Sequence, residues 1–530
     1  MSDVRARWLL LAVAAVVLVV HTMAYNFVTD DAYISFVYSR NLAEHGELTF
    51  NLGQYVEGYT NFLWTVILAG FLKLGIEPEL SCRVLALVCS LVTLWLLARI
   101  MERALERPSV WSAVPSLLLA CSSGFACWTS GGLETQLFTM LVVVALEGLA
   151  SASEHPRAIL RTGAALALSA MTRPEGLLVA AVFGVVHLAT IIGRRKIALV
   201  DLGGAVVFLV VWAPWFYWRY RYYGYPFPNT YYVKASGPWT SPKLEHDMLN
   251  NGTYYLWVWL LQTKVLFVSP LAVLGMIVGR PRSPRFVLAL AMMLLVGVYV
   301  PYTISVGGDF MGLHRFVMPL FVVAALSITL GLEWLVRTIT PATAPRIVAG
   351  VILVGAFAAS QLLLTRASVR WRNWAPDHGI DTPAFLMVYT EDRAAIGRAM
   401  AGCFRDDDFS IVGGAGAQPY FGRMRGIDVF GLVSERIAHE EPRMRARAGH
   451  TKFASDRMLA EYDPTFVFSC YTIGGKPNPT SPPPLMCGGF WKARGYEQAT
   501  MFVPEMRQQG KYYTFLVKKT RKFECPGRVL

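Results

Sequence analysis

Apolar residues gather into long runs over the first two thirds of this 530-residue chain, separated by stretches rich in charge and aromatic rings. A helix needs about 20 predominantly apolar residues to cross a bilayer. Runs of this kind predict spans at residues 8–24, 80–101, 111–125, 133–150, 158–171 and 177–192. Further runs predict spans at 197–217, 265–278, 286–302, 316–335 and 347–364. The pattern reads as a polytopic α-helical membrane protein with about eleven transmembrane helices, several of them short. Past residue 364 it changes. Short β-branched and aromatic runs at 409–412, 466–468 and 513–517 alternate with helix-like stretches, as the elements of an α/β domain do. The expected division is a membrane domain over 1–364 and a soluble domain over 365–530, the latter large enough to hold its own core. Gly413-Gly414-Ala415-Gly416 follows the first strand without the G-x-G-x-x-G spacing of a dinucleotide fingerprint, so a tight strand-to-helix turn is expected. Pro479 to Pro484 reads as a surface loop.

Composition agrees with a membrane protein: 54% of residues are hydrophobic and the mean hydropathy is +0.41. The net charge of +13 is distributed as the positive-inside rule requires. With Arg5 and Arg7 in the cytoplasm, alternate loops carry Arg103/Arg107, Arg157/Arg161, Arg194/Arg195/Lys196, Arg280/Arg282/Arg285 and Arg337/Arg346. That alternation holds only if the apolar segment 58–74 does not cross, so an interfacial or re-entrant helix is expected there. The first span is expected to be retained, because no clear cleavage site follows it. The resulting orientation has the amino terminus inside and the soluble domain on the extracytoplasmic, or periplasmic, side of the membrane. No nucleic-acid module accompanies the basic charge, and phosphate-bearing membrane lipid is the nearer partner for what remains of it. Of eight cysteines, Cys82, Cys89, Cys121 and Cys127 fall in or beside spans. Cys403, Cys470, Cys487 and Cys525 fall in the exported domain, where any of three disulfide pairings is open.

The polar motifs fall on one expected face. Asp30-Asp31 opens an amphipathic run just past the first span, where a carboxylate near hydrocarbon is costly and therefore a site candidate. Glu57, Glu134, Thr172-Arg173-Pro174-Glu175, the stretch from Arg219 to Lys234, and Gly307-Gly308-Asp309 through His314-Arg315 lie on the same side. Carboxylates for proton transfer and cations for a phosphate leaving group would both be at hand. Simpler readings compete. Either aspartate could cap the helix starting near Ala32, Glu134 could face a helix dipole, and Glu57 could be a surface-loop acid. Arg173 and Glu175 could form a local ion pair, and Lys234 or Arg315 could snorkel. The tyrosines at 222, 223, 225, 231 and 232 suit an interface belt as well as a sugar platform. No loop cluster has metal-ligand spacing; a carboxylate-bound divalent cation is the one cofactor the sequence leaves open.

Several stretches recur in order along the chain and carry a likeness. They are DDAYISFVYSRNLAEHGELTFNLGQYVEGYTNFLWT (30–65), TSGGLETQL (129–137), TRPEG (172–176), YYGYPFPNTYYVK (222–234), GGDFMGLHRFVMPLF (307–321), GIDVFGLV (426–433) and RAGHTK (447–452). In these the chain resembles the GT-C membrane glycosyltransferases that use polyprenyl-phosphate sugars, and most of all the mycobacterial terminal β-(1→2)-arabinofuranosyltransferase family. The resemblance implies a GT-C fold and a polyprenyl-phosphate-linked sugar donor, such as decaprenyl-phosphoryl-arabinofuranose. It implies a polysaccharide or glycoconjugate acceptor such as arabinan. It also implies that Asp30 or Asp31 is catalytic, as base toward the acceptor hydroxyl or, in relatives that retain configuration, as nucleophile or ion-pair stabiliser. Glu134 is the further catalytic candidate. Glu57, Asn61, Arg173, Tyr223, Asn229, Lys234, Asp309, His314 and Arg315 are the candidate donor or substrate contacts, and His450 belongs to the acceptor domain. A GT-C enzyme that modifies protein or lipid with another sugar is the nearest alternative. A flippase for lipid-linked sugar, which needs no catalytic carboxylate, is the alternative of another class.

Overall fold

All eleven predicted spans fall on helices, but not all of those helices are long enough to cross. The computed structural model describes residues 3–107, 109–277, 283–340, 342–370, 379–477, 487, 489–508 and 510–525. Its helical part runs through α1 (Asp3–Met23), α2 (Asp30–His45), α3 (Phe62–Lys73), α4 (Pro78–Leu105), α5 (Val114–Cys121) and α6 (Ser123–Ser130). It continues with α7 (Thr135–Ser151), α8 (Ala158–Thr172), α9 (Gly176–Arg194), α10 (Leu199–Tyr223) and α11 (Asn229–Lys234). It ends with α12 (Pro242–Gln262), α13 (Val265–Ile277), α14 (Pro284–Ser305), α15 (Met318–Ile339) and α16 (Thr343–Arg370).

Among the described residues seven helices have the length and composition to span a membrane, and nine crossings result if two bent pairs each count once. This corrects the expected eleven. α7 and α8, at 17 and 15 residues, rise only about 25 and 22 Å. The predicted span 111–125 breaks at Ser122, whose backbone is extended, and the two halves bend by 63°. Residues 242–262, too polar to suggest a span, form α12, which meets α13 at 88° across Thr263 and the left-handed Lys264. α3 has 12 residues, about 18 Å of helix, so segment 58–74 is too short to cross, as the charge alternation requires. α15 sits at the centre of the bundle and α10 at its edge: 89% of the apolar window of the first is buried against 11% of the second. The last span runs on to Arg370, past the expected boundary at 364.

Basic residues from three of the segments expected in the cytoplasm meet at one end of the bundle. Arg7 pairs with Glu102, Arg103 with Glu147 and Glu154, and Arg161 with Glu147, joining the ends of α1, α4, α7 and α8. Arg280 and Arg282 lie outside the described residues, as does the Pro479–Pro484 loop.

The sheet domain follows α17 (Pro383–Met400) and contains β1 (Ser410–Val412), α18 (Ala417–Gly422), β2 (Gly426–Asp428), α19 (Glu435–Glu440), β3 (Phe466–Gly474), β4 (Tyr496–Phe502) and β5 (Tyr512–Lys518). Strand order is β2-β1-β3-β5-β4, parallel on the β1 side and antiparallel around β5. The expected α/β arrangement is therefore present, with β2 and β4 in addition. Cys403 pairs with Cys525 and Cys470 with Cys487, while the four cysteines of the helical part remain thiols.

Candidate active site

A cavity of about 250 Å³ lies at the end of the bundle that meets the sheet domain. α2 supplies one wall. Its positions 31, 34 and 35 follow helical spacing, and Asp31, Ile34 and Ser35 all line the space. Ser35 Oγ donates to Asn61 Oδ1 at 3.1 Å, and Asn61 Nδ2 donates to Glu134 Oε2 at 2.9 Å. Arg173 Nη1 donates to Glu134 Oε1 at 2.9 Å and Arg173 Nη2 to Glu175 Oε1 at 3.0 Å. Opposite them, Gly307 and Gly308 take successive left-handed conformations (φ 78° and 73°). A side chain on either would crowd Met248 or Tyr255 of α12, and this turn delivers Asp309 to the cavity. Two further left-handed residues, Leu313 and His314 (φ 58° and 64°), turn the chain back. Each costs roughly 1–2 kcal/mol, and His314 is held there by Gln262 Oε1, 2.8 Å from its Nε2, and by the Tyr255 ring at 4.9 Å. Arg315 then donates through Nε to Asp309 Oδ2 at 2.6 Å and faces the cavity. Lys234, at the end of α11, closes the ring.

The charges are not equally committed. Arg173 is shared by Glu134 and Glu175, and Arg315 is bound to Asp309. Among the described residues, Asp31 and Lys234 make no ion pair or side-chain hydrogen bond, although both face the cavity and act on each other through space. Burial pushes the Asp31 carboxyl above its ordinary value, with Arg315 and Lys234 pulling the other way. Burial likewise pulls the Lys234 ammonium down, and Asp31 opposes that. Lys234 is open to the space of the cavity itself, so its desolvation comes from the protein walls around that space. Among the described residues no three His, Cys, Asp or Glu side chains converge as metal ligands.

Of the predicted residues, Asp31, Asn61, Glu134, Arg173, Lys234, Asp309 and Arg315 line this cavity together. The others sit elsewhere. Asp30, about 100° around the helix from Asp31, faces α18, where its Oδ1 accepts from Ala417 N at 2.8 Å. Neither aspartate is the helix cap: α2 begins at Asp30, and its cap residue is Thr29. Glu57 is a buried partner of Arg219, bonded at 2.8 and 2.6 Å, and is no surface-loop acid. Burial nonetheless pushes its carboxyl up to about 7, against the pull of Arg219. Tyr223 donates to the Leu48 carbonyl at 2.7 Å and meets Tyr59 at 3.1 Å, a buried tie and not a cavity wall. Asn229 Nδ2 donates to the carbonyls of Gly431 and Leu432 at 2.8 and 2.9 Å, fastening α11 to the sheet domain. His314 is buried against Gln262 and the Tyr255 ring, outside the cavity lining. His450 packs edge-on between Phe310 and Phe430, both at 4.6 Å, beside the cavity-lining Gly449, and burial pushes its imidazole down to about 3.

The cavity also uses Glu175, Tyr302, Phe316 and Phe227, none of which was singled out as a contact, and Tyr231, one of the tyrosines offered as an interface belt or a sugar platform. Glu175 read as a local partner of Arg173, which it is. Tyr302 is hidden at the end of an apolar span, and Phe227 stands between Pro226 and Pro228 with no polar group to mark it.

A family model described as dolichyl-phosphate-mannose-protein mannosyltransferase matches residues 62–218. No curated protein matches in sequence. The crystal structure of ArnT from Cupriavidus metallidurans bound to undecaprenyl phosphate aligns with a TM-score of 0.55 at 16% identity, over 96% of this chain and 97% of that one. The same protein in the apo state gives a TM-score of 0.52 at 15% identity, over 97% and 98%. The class so defined is the GT-C fold, a multi-pass helical membrane domain with a small sheet domain behind it. The particular likeness is to ArnT, and at this identity what is shared is the fold.

Proposed function

We propose that the protein is a GT-C glycosyltransferase that moves a sugar, D-arabinofuranose in our reading, from a polyprenyl-phosphate donor to an extracytoplasmic glycan such as arabinan. The observation that carries this is the uncommitted pair: one carboxylate, Asp31, and one ammonium, Lys234, face a shared cavity whose other charges are already paired. Lys234 and Arg315 suit the oxygens of a phosphate, and a structure with the same fold holds undecaprenyl phosphate. In the reaction, the acceptor hydroxyl oxygen bonds to the anomeric carbon while the bond from that carbon to the phosphate oxygen breaks. The hydroxyl proton passes to Asp31, and the lipid phosphate leaves with the bonding electrons beside Lys234 and Arg315. Glu134, fixed by Asn61 and Arg173, is placed to hold sugar hydroxyls. The arginine-rich end of the bundle suits the cytoplasm and the disulfide-bearing sheet domain the outside of a bacterial cytoplasmic membrane. The sheet domain would then present the acceptor.

Purified protein given radiolabelled decaprenyl-phosphoryl-arabinofuranose and an arabinan oligosaccharide tests this. Label in the oligosaccharide, with release of decaprenyl phosphate, is the expected result. Transfer only to a protein or lipid acceptor would overturn the arabinan assignment. Movement of the lipid across vesicles without any glycosidic product would overturn the transferase reading itself.

A further inference from the structure

The glycine run Gly413–Gly416 has no task in the chemistry above. It connects β1 to α18 and passes over the first turn of α2. The contact is close: a Cβ on Gly416 would collide with the backbone oxygen and carboxylate of Asp30, and one on Gly414 would lie 3.1 Å from Asp30 Oδ2. The amide of Ala417 donates to that carboxylate at 2.8 Å. One turn further along, Tyr420 of α18 packs against Tyr33 and Phe36, with ring centroids at 5.4 and 6.1 Å. Arg40 donates to the Tyr420 carbonyl at 2.7 Å. The sheet domain thus grips one side of α2 along its length, and the adjacent side carries Asp31.

We propose that this contact is a latch, in which the Gly416–Ala417 backbone closes on Asp30 and so sets the aim of Asp31 into the cavity. Asp30 is then a positioning residue, and the sheet domain takes part in catalysis by holding the first turn of α2. The inference rests on the transferase reading given above. The physical need is visible in the helix itself: Thr29 makes no side-chain capping bond, so the first turn depends on outside restraint. Because consecutive helical residues are rigidly linked, a rotation at Asp30 is a rotation at Asp31. The bond to Ala417 needs an acceptor and not a charge, and an amide oxygen supplies one.

The test compares Asp30→Asn, Asp30→Ala and Gly416→Ala in two ways. Amide hydrogen exchange over residues 30–36, which requires no turnover, should rise in Asp30→Ala and Gly416→Ala and stay at the wild-type level in Asp30→Asn. In the transfer assay, kcat should fall about 100-fold in the first two with donor KM nearly constant, since a misplacement of about 1 Å is enough for such a loss. Asp30→Asn should stay within about threefold of wild type. An Asp30→Asn as inactive as Asp31→Asn would make Asp30 catalytic and overturn the latch, as would unchanged exchange and kcat in Asp30→Ala and Gly416→Ala. Loss of donor binding in step with kcat would also overturn it, by showing general collapse. A wild type that transfers nothing would sink the transferase reading, and the exchange result would still decide whether the latch exists.

Discussion

Two cavities lined by charge lie at opposite ends of the helical bundle, and the larger is not the one with a reactive arrangement. At the arginine-rich end a space of about 650 Å³ is lined by Arg7, Arg99, Arg103 and Arg107. Each of these has a carboxylate within 4.0 Å: Glu102 for Arg7, Glu147 for Arg99 and Arg103, and Glu333 for Arg107. At the sheet-domain end the space is about 250 Å³. There the paired charges form a frame, and Asp31 and Lys234 are left over within it. Density of charge is therefore a poor guide to chemistry. A base that must take a proton, and a cation that must take a phosphate, have to be free of direct ion pairs when substrate arrives.

The sharpest way to break this contrast is at Asp31. Asp31→Asn should reduce transfer about 1000-fold, the weight of a positioned general base, while donor lipid still binds; near-normal transfer would remove the distinction between the cavities. Lys234→Met should weaken the donor about 10- to 100-fold, as expected for a lost hydrogen bond to a charged group, read as donor KM or as binding of the polyprenyl phosphate alone. The smallest effect belongs to the other end. Arg7→Gln breaks a partly exposed pair with Glu102 and should cost about 1 kcal/mol or less of stability, seen as a small fall in Tm, with transfer unchanged.

The membrane helices were legible because hydrocarbon demands long apolar runs, and the polar rim was legible because acids and bases next to such runs are expensive. Asp31, Glu134, Arg173, Lys234, Asp309 and Arg315 could be named on that ground alone. What the sequence could not show is rotation and partnership. Asp30 and Asp31 are adjacent letters, and only the direction of α2 separates the latch from the cavity. Glu57 and Arg219 stand 162 residues apart, and nothing local in either segment announces that they neutralise each other. The bends at Ser122 and Lys264 were hidden because the breaking residues are not prolines or glycines but ordinary side chains, the first with extended and the second with left-handed backbone. The glycine run was read correctly as a turn, but its reason, the close approach to Asp30, lies nearly 400 residues away in sequence.

The acid limb of the pH–rate profile tests the central claim most directly, measured for wild type and for Lys234→Met under saturating donor. In the proposed mechanism Asp31 acts as the anion, so activity should rise with pH through an ionisation lying above the ordinary carboxylate range, because burial disfavours the charged form. Lys234 stabilises that anion, so its removal should move the limb to still higher pH. A limb that stays in place, or moves to lower pH, would contradict an unpaired Asp31 facing Lys234 across the site.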